Sequence, residues 1–132
     1  MKKLLFPILM LSLLAGFTAC NKDDDHDHDV TISILEPSNG EVITDASLVH
    51  IHIEVEAEDE VHEMEVILHP HGDVDNKIID FDTHSHESSV TFEQDVDLSS
   101  FPSGTEFHLE VVVCKDHDCE EKEEEDISFS IQ

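Results

Sequence analysis

The strongest constraint on the fold of this chain is a strict alternation of apolar and polar residues from position 49 to 57. The apolar members are Val49, Ile51, Ile53, Val55 and Ala57. The residues between them are histidine or glutamate. Because successive side chains of a β-strand point to opposite faces of the sheet, this pattern predicts a strand with one buried and one exposed face.

The same period of two recurs in six further segments, and none of them shows a helical period. In chain order, the alternating stretches begin at Val30, Met64, Ile79, Val90, Phe107 and Ile127. Turn-forming residues separate them, as in the stretch from Glu36 to Gly40. Seven short strands within about 100 residues predict an all-β fold, namely an antiparallel sandwich of two sheets.

Two of the turn sequences resemble those of bacterial immunoglobulin-like modules. The stretch from Ile32 to Gly40 is similar to the opening of such modules, and the stretch from Val96 to Phe107 is similar to their turn into the penultimate strand. The resemblance covers residues 30–132 and implies an immunoglobulin-like β-sandwich of about seven strands. It implies no particular activity, because such sandwiches host unrelated functions.

Residues 1–19 have the parts of a lipoprotein signal peptide. Positive residues from Met1 to Lys3 precede an apolar run from Leu4 to Leu14, and small residues lead up to Cys20. The run is too short for a membrane-spanning helix, which needs roughly 20 residues. The sequence therefore predicts cleavage before Cys20 and lipidation of its thiol. The alternative is an ordinary secretory peptide followed by a chance cysteine.

The residues after Cys20 indicate where the anchored protein would go. The run from Lys22 to Asp25 resembles the export signal of Bacteroidetes-type surface lipoproteins, which implies an outer-membrane lipoprotein of the cell envelope that faces outward. Residues 20–29 contain no hydrophobic side chain beyond the cysteine, so we expect a solvated acidic and histidine-bearing tether. Residues 30–132 then form one domain. Through His69-Pro70-His71 and Thr83-His84-Ser85-His86, the whole chain also resembles histidine-rich lipoproteins of uncharacterised function that carry such a module.

The charge of the chain limits its partners. Residues 20–132 hold all 33 acidic residues and only four lysines, so the mature chain would carry a formal charge of 4 − 33 = −29. A field of this sign repels nucleic acid and anionic headgroups and concentrates cations. The expected partners are therefore the membrane, through the lipid at Cys20, a metal cation, and an envelope protein, while nucleic acid is excluded.

Eight of the 11 histidines come in four His-x-His pairs. The pairs are His26/His28, His50/His52, His69/His71 and His84/His86. On a strand, residues i and i+2 point the same way about 6.6 Å apart, so two imidazoles can bind one metal ion. Imidazole suits late first-row divalent metals. The sequence predicts zinc or copper as the cofactor, with nickel as the less favoured option.

Two of these sets are candidate sites. His69, His71, His84 and His86 are the first, because the segment 70–83 would bring the two pairs together if it folded back. His50 and His52 with Glu54 are the second and more exposed one. The tether pair would bind weakly or serve as a collecting arm.

A competing interpretation is that the histidines only relieve repulsion among the carboxylates. The chain would then be a structural or interaction module of an envelope complex, with no metal role. Nothing in the sequence indicates an enzyme, since there is neither a Gly-x-Ser-x-Gly motif nor a phosphate-binding loop.

With Cys20 lipidated, the remaining cysteines are Cys114 and Cys119. An even count in an exported protein predicts a disulfide. The alternative is a Cys/His metal site that includes His117, for which the thiolates would have to survive outside the cytoplasm.

Overall fold

Eight strands form two sheets in the computed structural model, which describes residues 29–132. The strands are β1 (Val30–Glu36), β2 (Val42–Ile43), β3 (Val49–Ala57), β4 (Glu63–Pro70), β5 (Ile79–His84), β6 (Ser89–Val96), β7 (Glu106–Cys114) and β8 (Lys122–Ile131). The predicted all-β fold of two sheets is confirmed, and the two-residue β2 is an addition to the seven predicted strands. In this range no helix is long and apolar enough to cross a membrane.

The strand order is β1-β3-β6 in the smaller sheet and β2-β8-β7-β4-β5 in the larger one. Neighbouring strands are antiparallel, except that Val42 and Ile43 of β2 run parallel to the end of β8. The expectation of a wholly antiparallel sandwich is therefore wrong at this edge. The connection from β1 to β3 crosses to the other sheet there and follows β8 for two residues.

The core lies between the inward faces that the alternation predicts. In β3, the four residues Val49, Ile51, Ile53 and Val55 are at most 1% exposed. The larger sheet contributes Phe107 and Phe129, whose rings stack with centroids 5.5 Å apart. Because the apolar residues occupy one face of each sheet, the histidines and acids between them are directed to the outer faces.

The loops of the sandwich gather at two ends. One end holds the loops 58–62, 85–88 and 115–121 together with Asp29, where the described chain enters, and we call it the entry end. The amide of Glu58 donates to the carbonyl of Asp29 there, at 3.0 Å. The other end, which we call the far end, holds the loops 37–41, 71–78 and 97–105. The two ends therefore present different sets of side chains.

A disulfide closes the loop between β7 and β8 at the entry end. Cys114, the last residue of β7, is bonded to Cys119, and their Cα atoms are 4.8 Å apart. Cys119 has a positive φ of 54°, and its amide donates to the carbonyl of Asp116 at 3.2 Å. The bond confines residues 115–118 to a tight loop, which includes His117.

Candidate metal centres

The sequence analysis predicts one site from four histidines, namely His69, His71, His84 and His86. The structure separates them into two pairs. In the antiparallel ladder of β4 and β5, His84 lies opposite Glu63 at the entry end. His69 lies six residues further along β4, roughly 20 Å away at about 3.4 Å per residue. The predicted convergence is wrong, because β5 carries His84 away from the turn 71–78 that follows His69.

At the entry end, His84 and His86 lie close to two other histidines and a glutamate. We call this group the entry-end cluster, and it consists of Glu60, His62, His84, His86 and His117. The ring centroids of His62 and His117 are 4.2 Å apart, and those of His84 and His86 are 4.9 Å apart. The ring of His117 is also 6.4 Å from that of His84 and 6.2 Å from that of His86. Four imidazoles, one from the end of β5 and three from loops, therefore share one small volume.

The carboxylate of Glu60 connects two of these imidazoles. Its Oε1 is 3.5 Å from Nδ1 of His62, and its Oε2 is 3.3 Å from Nδ1 of His86. One ligand atom from each of Glu60, His62 and His117 lies within 4.8 Å of the other two. Two nitrogens and one oxygen can therefore bind a common ion after small side-chain rotations.

His62 is the residue in the cluster that most favours a ligand. Only 9% of it is exposed, and its Nδ1 is buried with no hydrogen-bond partner. Leaving a buried polar atom unpaired costs free energy, and such atoms are rare in native proteins. A cation bound between His62 and Glu60 would satisfy this nitrogen.

Backbone hydrogen bonds and the disulfide hold the loops of the cluster in place. The amide of Val61 donates to the carbonyl of Glu87 at 2.8 Å, and the amide of Ser85 donates to the carbonyl of His62 at 3.1 Å. These two bonds fasten the loop 58–62 to the segment that carries His86. The Cys114–Cys119 bond holds the loop of His117. The ligand positions are thus largely preorganised.

Sequence reasoning missed Glu60 and His62 as ligands, and it considered His117 only as a ligand beside the thiolates of Cys114 and Cys119. His62 and His117 stand outside the His-x-His pairs, so the spacing between histidines gives no sign of them. A search for Glu-x-His would have found Glu60 and His62, because this pair has the same spacing of two. That His117 lies near the other histidines depends on the hairpin register and the disulfide.

The second predicted site lies on the outer face of the smaller sheet. Nε2 of His52 is 3.5 Å from the carboxylate of Glu54, as predicted, and 3.6 Å from that of Glu93 on β6. His50, His52 and Glu93 form a group whose ligand atoms lie within 4.8 Å of one another. Glu93 was missed because it lies opposite His52 only through the β3–β6 register.

The ion pair of His50 weakens this second site as a metal centre. Nδ1 of His50 lies 2.7 Å from Oδ1 of Asp95. The hydrogen bond to Asp95 raises the pKa of His50 above its ordinary value, with smaller contributions from the charges of Asp95, Glu36 and Glu93. A higher pKa favours the protonated imidazole, which cannot bind a metal. Among the described residues this group also has no buried nitrogen without a partner, so we rank it below the entry-end cluster.

We expect Asp95→Asn to lower the pKa of His50, because the substitution removes both the strong acceptor and the charge. The pH titration of the His50 ring signals by NMR measures this directly. Since the folded pKa is raised, the stability linked to it is fully present below the ordinary pKa of 6.5 and is lost as the pH rises through the folded value. Glu56→Gln, on the same sheet face but near the other end of β3, is the control and should leave the His50 titration in place. An unchanged pKa in Asp95→Asn would contradict the assignment.

The third group of histidines lies toward the far end, on the outer face of the larger sheet. His69 faces His108 of β7 directly across the ladder, with ring centroids 5.5 Å apart. His71, just beyond β4, has its ring centroid 6.4 Å from that of His108. His69, His108 and Glu110 also form a group with ligand atoms within 4.8 Å of one another.

The predicted lipidation site Cys20 and the tether pair His26/His28 lie outside the described residues. No protein-family model matches the chain, and a search of the curated proteins finds no match either. The geometry of the side chains is therefore the basis on which a function can be proposed.

Proposed function

We propose that this chain is a lipid-anchored cell-envelope protein that binds a late first-row divalent metal, zinc or copper rather than nickel, for scavenging, buffering or delivery. The entry-end cluster is the observation that carries the proposal. It combines four imidazoles with one carboxylate, and one of its ring nitrogens is buried without a partner.

The donor set supports this class of metal. Zn²⁺ takes four ligands in tetrahedral geometry from imidazole, thiolate and carboxylate, whereas Mg²⁺ and Ca²⁺ prefer oxygen ligands. The thiols of Cys114 and Cys119 are joined in a disulfide, so imidazole nitrogen is the main donor of the cluster. The strongly acidic chain also attracts cations toward the site.

The domain and its anchor form the rest of the proposal. The strand orders are β1-β3-β6 in one sheet and β2-β8-β7-β4-β5 in the other. The chain therefore crosses repeatedly between the two sheets, as it does in immunoglobulin-like sandwiches, and this supports such an arrangement. In this proposal residues 1–19 are removed, Cys20 is lipidated, and residues 20–29 tether the domain 30–132 to the outer membrane, facing outward.

Equilibrium dialysis of the full-length protein in detergent against Zn²⁺ tests the metal proposal. We expect His62→Gln/His117→Gln to lose about one bound Zn²⁺ per chain relative to the wild type, because it removes two ligands of the entry-end cluster. The control His50→Gln/His52→Gln also removes two histidines, but from the lower-ranked group. It should keep the Zn²⁺ ion that His62→Gln/His117→Gln loses. Mg²⁺ at equal ionic strength should not compete. Equal stoichiometry in the wild type and in His62→Gln/His117→Gln would refute the cluster as the metal centre.

One observation favours a second candidate, the structural or interaction module without a metal role. Several histidines are already paired with acids, as in His50 with Asp95 at 2.7 Å and His108 with Asp126 at 2.9 Å. Such pairs can serve to relieve repulsion among carboxylates. Weak binding of Zn²⁺, with no higher affinity than that for Mg²⁺, would favour this candidate.

We expect Cys20→Ser to abolish lipid attachment. The variant should move from the detergent phase to the aqueous phase on phase separation and should take up no labelled fatty acid, because the acylated thiol is gone. Asn21→Ser, one residue further on, is the matched control and should stay in the detergent phase. Labelling of Cys20→Ser would show that the lipid is attached elsewhere or that the signal-peptide assignment is wrong.

A further inference from the structure

The larger sheet carries a second convergence of metal-binding atoms on its outer face, toward the far end. We propose that His69, His108 and Glu110, which we call the far-end triad, bind a second Zn²⁺ or similar late first-row cation. The triad is roughly 20 Å from the entry-end cluster, by the length of β4 between them. It does not depend on that cluster, and either site can bind metal if the other fails.

The distances in the triad suit a tetrahedral ion. Oε1 of Glu110 is 3.6 Å from Nε2 of His69 and 3.7 Å from Nδ1 of His108. With Zn–N near 2.0–2.1 Å, the ligand atoms of a tetrahedral zinc lie about 3.4 Å apart. The two nitrogens lie within 4.8 Å of each other, so rotations of the side chains would bring this oxygen and both nitrogens into the first coordination sphere of one ion.

The other nitrogen of each ring already has an acceptor. Nδ1 of His69 donates to the carbonyl of Pro70 at 2.9 Å, and Nε2 of His108 donates to Oδ2 of Asp126 at 2.9 Å. Each bond fixes the tautomer, so the lone pairs lie on Nε2 of His69 and Nδ1 of His108, the two atoms that face Glu110. Metal-binding histidines are oriented in this way by a carbonyl or a carboxylate behind the ring.

This arrangement places three acceptors together. They are Nε2 of His69, Nδ1 of His108 and Oε1 of Glu110, and His69 as a whole is only 3% exposed. One divalent cation would contact both nitrogens and the oxygen at once.

The triad also has an approach for the ion and an open coordination position. His108 and Glu110 are partly exposed, and with Asp126 they line a surface pocket. Three protein ligands leave the fourth tetrahedral position open to solvent, as in zinc sites where water or another ligand binds. The triad should therefore exchange its metal more readily than a site with four protein ligands.

The test uses the full-length protein in detergent that carries His62→Gln/His117→Gln, so that the entry-end cluster is disabled. We expect Zn²⁺ to bind with about one equivalent and to shift the ¹⁵N signals of Nε2 of His69 and Nδ1 of His108. The signals of their other ring nitrogens should change less. Because this measurement leaves the triad unaltered, it does not depend on the folding of a triad variant.

Two further variants in the same background sharpen the test. Glu110→Gln should weaken Zn²⁺ binding at least about tenfold, and Asp126→Ala should weaken it about 10- to 100-fold by releasing the His108 ring. Glu124→Gln removes one charge from the same face and should leave the affinity unchanged. Absence of the predicted nitrogen shifts, or equal losses in Glu110→Gln and Glu124→Gln, would overturn the proposal. A loss of bound Zn²⁺ between the wild type and His62→Gln/His117→Gln concerns the entry-end cluster alone, and the triad is tested separately by the measurements above.

Discussion

Zn²⁺ at a hundredfold excess over the Kd of the entry-end cluster should raise the melting temperature of the Glu110→Gln protein, which lacks the carboxylate ligand of the far-end triad, by on the order of 10 °C. A ligand that binds only the folded state stabilises it by RT ln(1 + [L]/Kd), about 2.7 kcal/mol at this excess. For a domain of this size, 1 kcal/mol shifts the melting temperature by roughly 4 °C or more. Differential scanning calorimetry measures the shift.

The controls for this shift separate imidazole coordination from diffuse attraction by the acidic surface. Mg²⁺ carries the same charge but avoids imidazole, so it should give little shift at equal ionic strength. Lowering the pH below about 6 should weaken the effect of Zn²⁺, because protonated imidazoles do not bind metal. Adding His62→Gln and His117→Gln should remove the shift. A full shift in that protein, or an equal one with Mg²⁺, would contradict the assignment.

We expect Cys114→Ser/Cys119→Ser to lose stability and metal affinity together. In the chain-entropy treatment, a disulfide that closes so short a loop contributes about 2 kcal/mol, chiefly by restricting the unfolded chain. The same bond holds the loop that carries His117. Without it, ordering each loop residue for metal binding would cost roughly 1–2 kcal/mol, so Zn²⁺ affinity at the entry-end cluster should fall at least about tenfold.

Two measurements check this prediction. Urea denaturation without metal gives the loss of stability, and Zn²⁺ titration in the Glu110→Gln background gives the loss of affinity at the entry-end cluster. The far-end triad provides an internal control, since it lies roughly 20 Å away along β4 and distant sites behave independently. Its affinity, measured with Glu110 intact in the His62→Gln/His117→Gln background, should stay the same when the two serine substitutions are added. Unchanged affinity at the entry-end cluster would show that the disulfide does not position His117.

The strands could be predicted from the sequence because the apolar period is local. The alternation from Val49 to Ala57 is enough to assign both faces of β3, and the structure buries the predicted face. The short β2 has no such signal. Val42 and Ile43 are two residues that become a strand only because the end of β8 lies beside them.

The candidate sites were predicted only in part, because half of each site comes from another strand or loop. The spacing of two places His84 and His86 close together, with rings 4.9 Å apart. It does not show that His117 joins them, or that His69 faces His108 across the ladder. Those neighbours depend on strand register and loop length, which a period along one strand does not report.

The place where the chain enters the domain has a consequence for how the two sites would meet the membrane. Asp29 lies at the entry end, hydrogen-bonded to Glu58, and eight residues lie between it and Cys20. The nine Cα–Cα steps from Cys20 to Asp29 span at most about 30 Å when fully extended. With Cys20 lipidated as proposed, the entry-end cluster would stay near the bilayer surface, while the far-end triad could lie roughly 20 Å further out. The inner site would then be the nearer of the two to a partner held at the bilayer, and the outer one the nearer to ions in the surrounding medium.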